Sequence, residues 1–191
     1  YEFLLELMER MVKTVWQECL GVELETPFDR LTYADADRRF GSDKPDLRFG
    51  MELEDATEAT RGSQFGVFAG AETVRFLRVP RTYSRSELAA LEEFAKQWGA
   101  KGLAYLVADE SGELRSPIAK FLSEDELAAF AAKPGETLLF AADTWPMTSR
   151  VLGALVSNRL GHLFFTPVAL WVVALGCGVK KQAPEPVRRA E

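Results

Sequence analysis

Phe40-Gly41-Ser42-Asp43-Lys44-Pro45-Asp46-Leu47-Arg48 divides this chain into two kinds of sequence. A helix cannot pass through it: Gly41 favours a left-handed stop, and Pro45 holds the residue before it extended. Upstream the pattern is helical. Phe3, Leu4, Leu7, Met8, Met11, Val12, Val15 and Trp16 recur at three- and four-residue spacing, which predicts an amphipathic helix ending at Gly21. After a loop with Pro27, Thr32 is placed to cap a short helix through Asp37 and Phe40.

Downstream, from about residue 51, the periodicity alternates. Strands are predicted at Phe65 to Ala69, Val74 to Pro80, Gly102 to Ala108 and Leu138 to Ala142, with a further one from Arg115 to Phe121. Ser84 with Glu87, and Ser123 with Glu126, have capping-box spacing. The first predicts a helix to Trp98, stopped at Gly99, with Leu88, Leu91, Phe94 and Ala95 inward. The second predicts a helix closed by Lys133-Pro134-Gly135. Thr148 to Leu160 reads as a last helix with Val151, Leu152, Leu155 and Val156 inward, and Asp109-Glu110-Ser111-Gly112 is turn chemistry. Strands alternating with amphipathic helices place the fold in the α+β or α/β class.

Composition narrows the function. In 191 residues, 47% are hydrophobic and 27% charged, so a core forms without staples. A net charge of −6 excludes a protein that holds nucleic acid by bulk charge alone, while leaving room for a local basic patch. Cys19 and Cys177 make no disulfide framework, and a single histidine, His162, excludes a multi-histidine metal site. A reducing cytoplasm is the expectation. Tyr1 opens directly inside an amphipathic pattern with no basic leader, so the chain is expected to start within a longer protein.

Leu31-Thr32-Tyr33-Ala34-Asp35-Ala36 followed by Arg39 to Arg48 resembles the stretch just before the inserted domain of the bacterial aspartyl-tRNA synthetases. Gly99 to Tyr105, Ser116 to Leu122 and Gly135 to Asp143 are similar to successive blocks of that insertion, in order, and the resemblance covers roughly residues 1 to 173. It implies an α+β chain. A mixed α/β inserted GAD domain at 51–158 would be flanked by an incomplete class II catalytic domain, an antiparallel sheet with helices, at 1–50 and on re-entry at 159–173. A divergent tail would follow at 174–191. For the whole enzyme it implies ATP-dependent aspartylation of tRNA, with ATP and Mg2+ as cofactors, tRNA and aspartate as partners, a homodimer and a cytoplasmic location. The second and third class-defining motifs lie outside this sequence, so no catalytic, cofactor-binding or metal-binding residue carries over. The fragment alone is expected to be inactive and to bind neither ATP nor Mg2+ well. The alternative is a stand-alone GAD-type tRNA-binding or synthetase-accessory module without catalysis.

The candidate site residues are Ser42, Asp43, Lys44, Asp46 and Arg48, read as a tRNA-contacting or domain-interface loop. Lys44 and Arg48 would meet phosphate while Asp43 and Asp46 orient them. Glu52, Glu54 and Asp55, and likewise Glu124, Asp125 and Glu126, read as carboxylates at or before helix starts rather than as a metal or acid/base set. Strand alternation separates Arg75 from Arg78, so Lys101, Lys120, Arg75, Arg78, Arg81 and Arg85 are expected to be solvated surface charge rather than one basic stripe. His162 has no visible partner and reads as structural. Leu163 to Val179 is almost wholly apolar and is followed by Lys180 and Lys181, like a membrane anchor with a basic flank. Pro167, Gly176 and Gly178 interrupt it at the short limit for spanning, so a buried strand is expected and no membrane partner. The family pattern is lost after Val173, and the expectation there is a truncated or frame-shifted gene. Exposed sheet edges of the catalytic remnant would be sticky, and the inserted domain would fold alone.

Overall fold

The computed structural model describes residues 1–160. His162, Cys177, the apolar run 163–179, the re-entry strand expected at 170–173 and the tail 174–191 lie outside the described residues. Two compact units divide the chain, Tyr1–Asp35 and a second that begins at Ala36.

The first unit is α1 (Glu2–Leu20) and the strap after it. Gly21, at φ 66°, ends the helix in the left-handed conformation that Gly enters without a Cβ clash. The strap returns along one side of α1. Arg30 pairs with Glu2 at 2.5 Å and with Glu9 at 3.6 Å, Glu9 accepts from the Phe28 N–H at 3.3 Å, and Lys13 pairs with Glu23 at 3.3 Å. The helix buries none of its residues, and Phe3, Leu4, Leu7, Met8, Met11 and Val15 are exposed.

The second unit opens with the end of α2 (Tyr33–Phe40) and a 3-10 turn at Leu47–Phe49. It continues through β1 (Leu53–Asp55), α3 (Thr57–Thr60), α4 (Gly66–Ala69), β2 (Thr73–Val79), α5 (Arg85–Gln97), β3 (Ala104–Ala108) and β4 (Leu114–Arg115). A 3-10 turn at Ala119–Phe121, α6 (Glu124–Phe130), β5 (Thr137–Asp143) and α7 (Trp145–Leu155) complete it, and α7 loosens into a π turn at Val156–Leu160.

The sheet is antiparallel throughout, in the order β1-β2-β5-β3-β4. β5 is inserted between β2 and β3, which run parallel to each other and are joined through α5; this is a split β-α-β arrangement. Both long strands carry apolar residues on both faces, as strands covered on two sides do. Leu77, Val79, Leu139, Ala141 and Val107 share one core cluster with Leu88, Leu91 and Phe94 of α5 and Val151, Leu152 and Leu155 of α7. Val74, Phe76, Leu106, Leu138 and Phe140 share another with Ala56, Phe68, Ile118, Leu122 and Phe130, from α3, α4, α6 and their joins. The result is three layers, helices on each side of one sheet, and it is α+β.

Both capping boxes form. Ser84 accepts from the Glu87 N–H and Glu87 accepts from the Ser84 N–H, and Ser123 and Glu126 do the same. Several expectations need correction. Phe65 to Ala69 is no strand: Ser63 caps the Phe65 N–H, and α4 turns back so that Phe68 is 2% exposed beneath Phe140. The strand expected from Arg115 to Phe121 stops at Arg115, because Pro117 cannot donate to a ladder and Ser116 instead donates to the Tyr105 carbonyl. α6 ends at Ala131, φ 44°, before Lys133. The last helix starts at Trp145 rather than Thr148, with Pro146 in its first turn, where a missing N–H costs nothing. β1 has no sequence expectation behind it; at three residues it is too short to show a period.

Candidate functional site

The loop of interest hangs from a crossing of two backbones. α2 delivers Phe40 into the second unit at 8% exposure, and Gly41 follows at φ 64°, its N–H donating to the Asp37 carbonyl at 2.8 Å. A Cβ on Gly41 would lie 2.3 Å from the Ser149 carbonyl oxygen of α7, and one on Gly153 would lie 2.5 Å from the Gly41 carbonyl oxygen. Two glycines therefore let the end of α2 lie directly on α7.

Arg75 locks the same place from below. It stands on the face of β2 that also carries Leu77 and Val79, and it is 1% exposed. Nη1 donates to Ser149 Oγ at 2.7 Å, Nη2 donates to the Arg38 carbonyl, and the guanidinium lies 4.2 Å from the Trp145 ring centre. Trp145 Nε1 in turn donates to Asp37 Oδ2 at 2.7 Å. Burial pushes the Arg75 guanidinium down from its ordinary range, and the carboxylates of Asp37 and Asp55 oppose that push. The expected solvated Arg75 is thus corrected: it is a buried clasp between β2, α2 and α7. Its Nε makes no hydrogen bond, a cost that the other contacts offset.

Arg39 adds an outer tie, its fork bonded to both carboxylate oxygens of Glu52 just before β1. The Arg39 hydrogen bonds hold the Glu52 carboxyl below the usual range. Its stabilisation is therefore complete above the unfolded value of about 4.3 and is lost as pH falls through the lower folded value. Glu52→Gln should lower stability at pH 7 by under ~1 kcal/mol, because the pair is half exposed. The gap between the two proteins in urea midpoint should narrow as pH falls from 5 toward 3. A constant gap from pH 7 to pH 3 would remove Glu52 from the acid response.

On this anchor the five predicted site residues fall as follows. Ser42 and Asp46 are half-buried, and Asp43 and Lys44 are exposed. The Lys44 N–H donates to Ser42 Oγ at 3.1 Å, an ST-type turn that fixes the loop's first bend. Arg48 lies in the Leu47–Phe49 turn. The fold fastens the residues just before the loop, Arg38, Arg39 and Gly41, to Arg75, Glu52 and α7, partners that sequence reasoning missed. A signal for Arg75 was present: it shares strand parity with Leu77.

The other expected groups disperse. Arg78 forks onto Glu54, meets Glu136 at 3.1 Å, and donates to the Phe130 and Ala131 carbonyls at the end of α6. Arg81 pairs with Glu87, and Lys101 pairs with Asp143 at 3.0 Å. No basic stripe results from these. Glu52 and Glu54 are absorbed by arginines, and Glu126 is a cap. A cleft of about 800 Å³ opens between α4, the start of β3 and the end of β5. Glu72, Glu92 and Asp143 line it against Lys101 alone, so its field disfavours phosphate.

Residues 67–152 match the family described as GAD domain. The aspartate–tRNA(Asp/Asn) ligase of Symbiobacterium thermophilum is 48% identical over 170 residues, covering 82% of this chain and 29% of that protein. That of Bacillus cytotoxicus is 45% identical, covering 84% and 29%, and the aspartate–tRNA ligase of Geobacillus kaustophilus is 42% identical, covering 88% and 31%. A solved hypothetical protein of Pyrococcus horikoshii overlaps at a TM-score of 0.32 and 21% identity, over 52% of this chain and 56% of that one, too slight a likeness to carry an argument. This chain spans less than a third of the length of the ligases it matches. It carries a GAD domain and corresponds to the GAD-bearing segment of the bacterial aspartate–tRNA ligases.

Proposed function

We propose that this chain serves within an aspartate–tRNA ligase, an enzyme that joins aspartate to tRNA at the expense of ATP, and that by itself it does not catalyse that reaction. The observation that carries the reading is identity of 42–48% sustained over more than four-fifths of the chain. Residues 1–50 and 159–173 belong in this reading to the class II catalytic domain, and 51–158 to the inserted domain. The loop from Ser42 to Arg48 is the seam between them. The Gly41 crossing, the Arg75 clasp and the Arg39 tie support the interface role, since all three fasten the residues beside the loop to the inserted domain. Exposed Lys44 is the residue best placed for a tRNA phosphate.

ATP and magnesium belong to the catalytic portion of the parent, together with tRNA and aspartate as substrates, a homodimeric assembly and a cytoplasmic location. The larger cleft does not fit a triphosphate, for its carboxylates outnumber its lysine, and no adenylation step is derived from this chain. No helix among the described residues is long and apolar enough to cross a membrane. The test is a chimera in which residues 1–173 replace the corresponding segment of the Symbiobacterium ligase. Retained aspartylation of tRNA is the expected result, with no aspartate-dependent pyrophosphate exchange from the chain alone. A folded chimera that cannot charge tRNA, or exchange activity in the isolated chain, would overturn the reading.

A further inference from the structure

A second cleft, of about 480 Å³, lies where the start of α5 meets β3 and β4. Its chemistry is opposite to that of the larger cleft. Arg85 and Arg115 line it, and none of its lining residues is a carboxylate, on a chain whose net charge is −6. The register places Arg115 opposite Val107, so it shares the sheet face that α5 covers.

The arginines are available. The Arg85 side chain makes no ion pair among the described residues, and Arg115 reaches only Asp109, at 3.8 Å. The Asp109 Oδ1 accepts from the Ser111 and Glu113 N–H groups at 2.9 Å each, and its Oδ2 stands too far from Arg115 for a hydrogen bond. Arg85 is also the first residue of α5, the positive end of a 13-residue helix.

Two tyrosines complete the lining, Tyr83 and Tyr105. The Tyr83 hydroxyl is buried with no hydrogen-bond partner, an unspent donor in a protein whose other buried hydroxyls are largely satisfied. Burial raises the Tyr83 pKa above its ordinary value. The Arg81 guanidinium lies 4.8 Å from the centre of the Tyr83 ring, which leaves Tyr105 as the aromatic surface that the cleft joins to cationic forks suited to one phosphate.

We propose that this cleft binds a nucleoside monophosphate unit, its phosphate on Arg85 and Arg115 and its base against Tyr105. The site is independent of the ligase reading, because it is built wholly from the second unit and uses no part of an adenylation centre. The unit is either a free nucleotide or the end of an RNA strand.

The test follows backbone amide shifts of the full chain during titration with AMP, adenosine, inorganic phosphate and a 5′-phosphorylated triadenylate. AMP should move the amides of residues 83–88 and 114–116 and should bind more tightly than either adenosine or phosphate. Arg85→Gln and Arg115→Gln should each weaken AMP by roughly tenfold, with partial recovery in the lysine variants. Lys101→Gln, in the other cleft, should leave AMP binding unchanged. Triadenylate binding more tightly than AMP identifies an RNA end, and equal affinity identifies a free nucleotide. Either result keeps the site. Shifts absent from these amides, phosphate binding as well as AMP, or an Arg115→Gln variant that binds like the parent would each overturn the proposal.

Discussion

Phe140→Ala should cost the second unit about 3–5 kcal/mol in urea unfolding, a large share of the ~5–15 kcal/mol that holds a domain folded. Phe140 lies on the central strand β5 at 1% exposure. It faces Phe76 across the β2 pairing and Ala104 across the β3 pairing. Its ring stands 4.9 Å from that of Phe130, 5.2 Å from Phe76 and 5.4 Å from Phe68, so one truncation strips a partner from α6, β2 and α4 together. The space is walled by a sheet on one side and three elements on the others, so it cannot collapse cheaply. Phe121, 39% exposed, is the control, and its alanine variant should lose under ~1 kcal/mol. A loss at Phe140 no larger than that of the control would mean that the core is not centred on this ring.

Gly41→Ala should destabilise by about 2–5 kcal/mol, the sum of a left-handed backbone cost and overpacking. The added Cβ has two separate objections to meet: φ at 64°, and the Ser149 carbonyl at 2.3 Å, which is backbone and cannot rotate away. Gly153→Ala separates the two, because Gly153 is not at positive φ and its Cβ would meet the Gly41 carbonyl at 2.5 Å. In that variant alanine gains about 1 kcal/mol of helix propensity over glycine, so any net loss reports the crossing alone. Equal stability of the parent and both variants, read from the midpoint of thermal unfolding, would show that α2 does not sit on α7 in solution. If the seam transmits to function, an otherwise folded Gly41→Ala chimera should also charge tRNA more slowly.

Local chemistry is legible in the order of residues. Capping boxes at Ser84 and Ser123, glycine stops at Gly21 and Gly41, and the two long strands β2 and β5 come from interactions within a few residues or from runs apolar enough to need cover on both faces. The run from Arg39 to Arg48 also leads to the ligase family, because an ordered string of residue types carries more information than any periodicity.

Other features belong to the tertiary structure alone. The order β1-β2-β5-β3-β4 places strands distant in sequence side by side, and no local pattern specifies the partner of β5. Phe65 to Ala69 reads as a strand because its residues are apolar and small. It becomes a helical turn because Phe68 has a place beneath Phe140 and the Phe65 N–H has one on Ser63. Arg75 shows the same division most clearly. Its sequence position put it on the face of Leu77, and its charge argued for water. The partners that make burial tolerable are Ser149, the Arg38 carbonyl and Trp145, the nearest of them 37 residues away along the chain. Sequence by itself determined α1, the capped starts of α5 and α6, the two long strands and the kinship. The packed fold decided which charges are buried, which backbones cross, and where two arginines and two tyrosines share one cleft, since each depends on groups that meet only when the chain is closed.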